Sequence, residues 1–452
     1  MLENKNRKIA VVYPTGICNL NCRYCGINKN PSLKTIDEEL GKSFEGDYYY
    51  NQIRKYFPYK YMLREMETWG GEPFIHMERI YPLVHQLIEY YPYFDSMYSS
   101  TNFSYKEWND KFFGLMDCFG DYPYRSFTYR LQLSCDGPEY VNDAGRGKGT
   151  TAKCLTIYNS FLEDLKNNRL PNNVNLIITL KPTLDLGTLH KLCNKEKIIE
   201  YYQFFENNFL LPFEKMVKKE NISIVPPIPN TAVPSPTTVE DGKMFARFVK
   251  YCREIEKENP EKGYFKVYNE ITPFSSDICQ DCLTYKYGYH TCGVGDCSIG
   301  FLPNGLLSCC HEGFTQLVED YTKLASQDNH NNSSIIFDQY LSSQKVHMCV
   351  NEEGYDLFET KMATFNKDNA TARLASNVAQ IMALALAGQV EEKFLNEEEA
   401  LKAGIFMQSH TAYCIKDNYN QTGSYTLQPD GMYKLLLNGA MEYIEEGECR
   451  CC

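Results

Sequence analysis

Residues 9–25 read IAVVYPTGICNLNCRYC, an apolar run that passes straight into a cysteine loop. Ile9 to Tyr13 is short and rich in β-branched residues, and Pro14, Thr15 and Gly16 close it. This pattern predicts a buried strand that ends in a loop. The loop carries Cys18, Cys22 and Cys25 in C-x3-C-x2-C spacing, with the aromatic Tyr24 before the last cysteine. Three thiolates in so short a run suit three irons of a four-iron, four-sulfur cluster, which normally takes four cysteines. The missing fourth ligand leaves one iron open, and an open position separates a reactive metal centre from a structural one. A structural zinc site more usually takes four ligands in two separated pairs.

The strand signal recurs outward from this loop. Residues 64–69, 96–102, 127–133, 174–180 and 222–225 alternate or run apolar. Helical spacing lies between several of them, as in Ile80, Leu83, Val84, Leu87 and Ile88. Such alternation argues for a parallel sheet. Polar motifs sit at the strand ends: Trp69-Gly70-Gly71-Glu72-Pro73, Thr101-Asn102, Ser134-Cys135-Asp136-Gly137-Pro138 and Lys181-Pro182-Thr183. In βα barrels reactive groups gather at the carboxyl ends of the strands, so all of these motifs are expected on one rim. Alternation puts Ser134 and Asp136 on one face and Cys135 on the other, in the core. Gly145 to Thr151 (GRGKGTT) lacks the G-x4-G-K-[ST] spacing of a phosphate loop.

The motif Cys18-Asn19-Leu20-Asn21-Cys22-Arg23-Tyr24-Cys25 resembles the signature of the radical S-adenosylmethionine (SAM) superfamily. The resemblance implies an α/β fold with a partial (β/α)6 TIM-type barrel. It also implies that the open iron chelates the amino and carboxylate groups of SAM. One electron from the reduced cluster then yields a 5′-deoxyadenosyl radical. The segment Gly70, Gly71, Glu72 and Pro73 matches the family's SAM-amino contact, and glycines there let backbone approach a ligand. By the same resemblance Tyr24 stands near the adenine. Asn102, Ser134 and Asp136 are candidates for cofactor or substrate hydroxyls. Arg146 is a candidate for the SAM carboxylate, a task its bidentate donors suit. No catalytic acid or base is singled out.

The net charge of −12 argues against a nucleic-acid partner. No apolar run is long enough to cross a bilayer, and the first residues lack a signal-peptide core. A cytoplasmic setting follows as the simplest expectation. Nineteen cysteines without an export signal favour metal ligation over disulfides.

The second half is built differently. Val225 to Pro236 is proline-dense and reads as a linker. Met244, Phe245, Phe248, Val249, Cys252 and Ile255 then share a helical face. Cysteines crowd next: Cys279, Cys282, Cys292, Cys297, Cys309 and Cys310, with Cys349 and Cys414 beyond. Pro303-Asn304-Gly305 predicts a tight turn between strands Ser298 to Leu302 and Leu306 to Ser308. Cys292-Gly293-Val294-Gly295 followed by this turn and Cys310 resembles the SPASM-type extension of radical SAM enzymes. That resemblance implies one or two auxiliary 4Fe-4S clusters in a cysteine-rich α+β domain, with ligands among those eight cysteines. The expected organisation is a barrel over residues 1–225, a bridging region over 226–285 and the auxiliary domain over 286–452. Residues 368–391 predict a further helix.

Relatives with such extensions commonly modify peptides. The leading expectation is a maturase that installs a thioether or other crosslink in a ribosomally made peptide. It would be fed by a reductant such as flavodoxin or ferredoxin and aided by a separate leader-binding protein. A sulfatase-maturase-like oxidation of Cys or Ser is the alternative. A non-catalytic iron–sulfur or zinc scaffold is the third reading, and it leaves the strand-end motifs unexplained.

Overall fold

The computed structural model describes residues 8–227 apart from 26 and 28–32, short stretches between 230 and 322, and two strands at 346–350 and 356–361. In chain order the elements are β1 (Lys8–Thr15), α1 (Leu33–Ser43), α2 (Tyr48–Tyr56), β2 (Leu63–Gly70) and α3 (Tyr81–Tyr90). Next come β3 (Ser96–Thr101), α4 (Trp108–Gly120), β4 (Phe127–Leu133), α5 (Glu139–Arg146), α6 (Thr150–Lys166) and β5 (Val174–Leu180). They are followed by β6 (Thr183–Leu184), α7 (Leu186–Lys191), α8 (Lys195–Phe205), α9 (Leu211–Met216), β7 (Ile222–Val225) and β8 (Asn230–Thr231). The described chain resumes with β9 (Ser298–Phe301), β10 (Leu307–Ser308), β11 (Val346–Val350) and β12 (Asp356–Lys361).

The chain folds as α/β. Its main sheet has the order β10-β9-β1-β2-β3-β4-β5-β7. Every pairing from β9 to β7 is parallel, and β10 alone runs antiparallel at the edge. The six strands expected over residues 9–225 are all present. The expected hairpin is β9–β10, but β9 also pairs with β1, from Ile9 opposite Ser298 to Val12 opposite Phe301. The hairpin therefore joins the main sheet.

The burial of β4 shows why the strands form: Phe127, Tyr129, Leu131 and Leu133 are buried, and the residues between them are half-buried. The buried set packs under the helices. α4 contributes Trp108, Phe112, Met116 and Phe119, and α6 contributes Tyr158, Phe161, Leu162 and Leu165. Rings dominate this core. Trp108 stacks on Phe112 at 4.9 Å between centroids and meets Phe103 at 4.2 Å and Phe74 at 4.8 Å. Ile80, Leu83, Val84, Leu87 and Ile88 are buried as their spacing predicts, as are Phe248, Cys252 and Ile255. Strand β1 is buried on both faces. Val11 and Tyr13 join a second core with Leu40, Leu302, Phe314 and Leu317.

The other face of the central strands, away from the helix-packed side chains, is polar. Ser100, Gln132, Ser134 and Thr179 are half-buried there. Tyr98 Oη donates to Gln132 Oε1, Gln132 Nε2 donates to Ser100 Oγ at 3.0 Å, and Arg130 pairs with the buried Glu65.

Candidate functional site

Parallel pairing puts the carboxyl ends of β1 to β5 on one rim, and the sequence motifs gather there. The cysteine loop leaves β1 and is tied to its neighbours at several points. At its base Thr15 Oγ1 donates to the buried Asp37 of α1, and Gly16 N donates to Asp37 Oδ1 at 3.0 Å. Arg79 closes this clamp by donating to Pro14 O at 2.9 Å and to both Asp37 oxygens at 3.2 and 3.3 Å.

The exit of β2 lies against the same loop. Gly71 N donates to Thr15 O at 3.0 Å, and Glu72 N donates to Ile17 O at 2.9 Å. Gly70 has φ +119°, and a Cβ on Gly70 or Gly71 would overlap the carbonyl oxygen of Thr15 or Ile17. The paired glycines thus serve a close approach between two loops of the chain itself.

Glu72 is fully buried. It accepts from Thr101 Oγ1 at 2.7 Å, Asn102 N at 2.7 Å and Phe74 N at 3.3 Å. Burial nevertheless pushes its carboxyl up to about 7, against the pull of those three donors. Thr101 Oγ1 also accepts from Trp108 Nε1 at 3.0 Å and from Phe103 N at 3.1 Å, so the motif stands on the aromatic core. Phe103 itself takes φ +54°, and its ring packs against Trp108, Tyr158 and Phe161. Asn102 Oδ1 accepts from Ser104 N and Oγ at 2.9 and 2.6 Å and so braces this turn.

Asn102 also faces the cysteines. Its Nδ2 donates to Asn19 Oδ1 at 2.9 Å and to Cys18 Sγ at 3.5 Å, and Leu20 N donates to the same sulfur at 3.4 Å. Cys18 and Cys25 are half-buried, whereas Cys22 is buried. Burial drives the Cys22 thiol up to about 12, with Arg146 opposing. A metal reverses that balance, because ligation requires the thiolate. Among the described residues no three His, Cys, Asp or Glu side chains converge as one bound ion requires. An iron–sulfur cluster asks for no such convergence, since each cysteine ligates its own iron. N–H donors on a ligand sulfur are a feature of cluster sites, where they tune the potential.

On the far side of the loop, Asp136 is a hub. It accepts from Arg146 Nε at 2.9 Å and Nη2 at 2.8 Å, from Tyr24 Oη at 2.5 Å and from Thr183 N at 2.9 Å. Arg146 is buried, and Asp136 keeps it charged against its desolvation. Its guanidinium lies 5.6 Å from the centre of the Tyr24 ring. Burial, with Asp136 beside it, raises the Tyr24 phenol well above its ordinary range. Ser134 stays half-buried on the polar face of the sheet, with Ser100 Oγ 3.4 Å away. Cys135 lies in the core, as alternation predicts.

The structure thus brings together Cys18, Cys22, Cys25, Tyr24, Gly70, Gly71, Glu72, Asn102, Asp136 and Arg146. Pro73 opens a short 3₁₀ turn behind Glu72. Cys279, Cys282, Cys292, Cys297, Cys309, Cys310 and Cys414 lie outside the described residues. For Cys349 only its backbone place on β11 is described. The sequence reading passed over Asp37, Arg79 and Phe103. It also passed over Asp185, whose D-x-x-T run is a helix-cap signature.

A family described as a 4Fe-4S single cluster domain matches residues 8–137, from β1 through the end of β4. No curated protein matches the chain. The family match supports iron–sulfur binding in the stretch that holds Cys18, Cys22 and Cys25. Among the described residues, no helix is long and apolar enough to cross a membrane.

Proposed function

We propose that this iron–sulfur protein is a radical SAM enzyme that modifies a peptide substrate. The observation that carries the reading is the cysteine loop: three thiols, two N–H donors aimed at Cys18, and ties to the ends of neighbouring strands on one rim. Cys18, Cys22 and Cys25 would hold the cluster, and Gly70 to Pro73, Asn102 and Tyr24 would border SAM. When bound, the pair supplies a 5′-deoxyadenosyl radical by one-electron cleavage of the sulfonium.

The chain's own residues do the rest. Glu72 fixes the β2 exit and the β3 turn relative to each other. Asp136 and Arg146 hold Tyr24, between Cys22 and Cys25, by its hydroxyl and its ring. The polar face with Ser100, Gln132, Ser134 and Thr179 offers hydrogen bonds suited to amides, which favours a peptide over an apolar substrate. The auxiliary domain over residues 286–452, one or two further clusters, a flavodoxin or ferredoxin donor, a leader-binding partner and a cytoplasmic setting complete the proposal.

The test is anaerobic. The full chain is reconstituted with iron and sulfide, mixed with dithionite and SAM, and assayed for 5′-deoxyadenosine. Production that vanishes in Cys18→Ala/Cys22→Ala/Cys25→Ala is the expected result. No nucleoside from a wild type with a reduced cluster, with or without added peptide mixtures, would overturn the reading.

A further inference from the structure

Arg23 stands between Cys22 and Cys25, and its side chain leaves the loop to reach α7. Nε donates to Asp185 Oδ2 at 2.5 Å, and Nη2 donates to Oδ1 at 2.6 Å. Asp185 is 4% exposed. The same carboxylate caps α7, accepting from Thr188 N at 2.8 Å and Thr188 Oγ1 at 2.7 Å. The backbone of Arg23 is held as well, its N donating to Gly145 O at 2.8 Å.

A second observation points the same way. Gly187 is the second residue of α7, and glycine is a poorer helix former than alanine. A Cβ there would stand 2.8 Å from Arg23 Cζ and 2.9 Å from Nη1. The helix forgoes a methyl where the guanidinium enters.

We infer that Asp185 and Gly187 form a socket for Arg23 that positions the cysteine loop and sets how firmly the loop retains its cluster. The inference rests on the cluster-binding reading of Cys18, Cys22 and Cys25 and is independent of SAM cleavage. Arg23 and Asp185 act here as positioning residues. Their bidentate geometry fixes the orientation of the loop segment between two ligands, which a lysine's point charge would not do. Groups that orient metal ligands typically alter metal affinity by about 10–100-fold when removed.

The test follows iron release from the anaerobically reconstituted full chain to a ferrous chelator. The relevant pool is the iron that Cys18→Ala/Cys22→Ala/Cys25→Ala fails to hold. Asp185→Asn and Gly187→Ala are each expected to speed release of this pool roughly tenfold. Asp185→Asn/Gly187→Ala should be no faster than the faster single variant, because both empty one socket. Melting of the Gly187→Ala apoprotein should fall no further than that of Asp185→Asn, since both lose the Arg23 pair and alanine favours the helix. Release within about twofold of wild type in both single variants would overturn the socket, as would fully additive effects. A wild type that takes up no iron would overturn the iron–sulfur reading and this inference together. Accelerated release in a protein that makes no 5′-deoxyadenosine would support the socket and overturn the enzymatic reading alone.

Discussion

At the scale of single residues, Glu72 has the clearest pH signature. Its folded carboxyl titrates near 7, while its ordinary value is 4.5. Between those values the folded state binds the extra proton, so this group lowers stability as pH rises and has no further effect above about 7. At about 1.4 kcal/mol per pH unit the contribution is ~3 kcal/mol. Glu72→Gln removes it. Denaturant titrations should therefore show wild type losing ~1–3 kcal/mol relative to the variant between pH 4.5 and 7; a pH-independent difference would contradict the assignment. The residues that supply the cysteines and the Gly70 to Pro73 segment were legible because they are contiguous. The partners of the site were not. Asp185 lies 162 positions from Arg23, and nothing local to either residue names the other. Gly70 and Gly71 were legible as a close approach, but only the fold shows that the approaching group is the β1 exit loop.

At the scale of elements, the six parallel strands over residues 9–225 were legible because a strand covered by helices on one face alternates at period two. β4, β5 and β7 match their expected bounds residue for residue, and the others differ by a residue or two. Pairing was less legible. A five-residue apolar run says that β1 is buried on both faces, but it does not say that β9 supplies a neighbour. The joint between β1 and α1 is equally hidden, since Thr15, Asp37 and Arg79 look like ordinary surface residues in sequence. Asp37→Ala would leave the Thr15 hydroxyl, the Gly16 N–H and the Arg79 guanidinium without this acceptor. Urea unfolding should show a loss of about 2–4 kcal/mol, with Asp37→Asn losing less. A change under ~0.5 kcal/mol would mean that water replaces the carboxylate freely.

At the scale of the whole molecule, β9 makes the described parts interdependent. A chain ending after residue 231 would leave the β1 edge from Ile9 to Val12 unpaired, an apolar template for association with other chains. A chain ending after residue 322 keeps β9, β10, Phe314 and Leu317 over that edge. Size-exclusion chromatography should find the shorter fragment aggregated and the longer one monodisperse; equal behaviour would show that β9 protects nothing. The cysteines proposed for auxiliary clusters lie almost wholly outside the described residues, and the sequence is the ground for that part of the proposal.

The pairing of β9 with β1 also has a consequence in time. The ribosome makes β9 about 290 residues after β1, which at about 5–20 residues per second is a delay of roughly 15–60 s. Throughout that interval the strand leading to the cysteines has one flank open on the nascent chain. Cluster loading during translation would therefore act on a rim whose first strand lacks one neighbour, so the order of iron delivery and chain release becomes a property of this protein's topology.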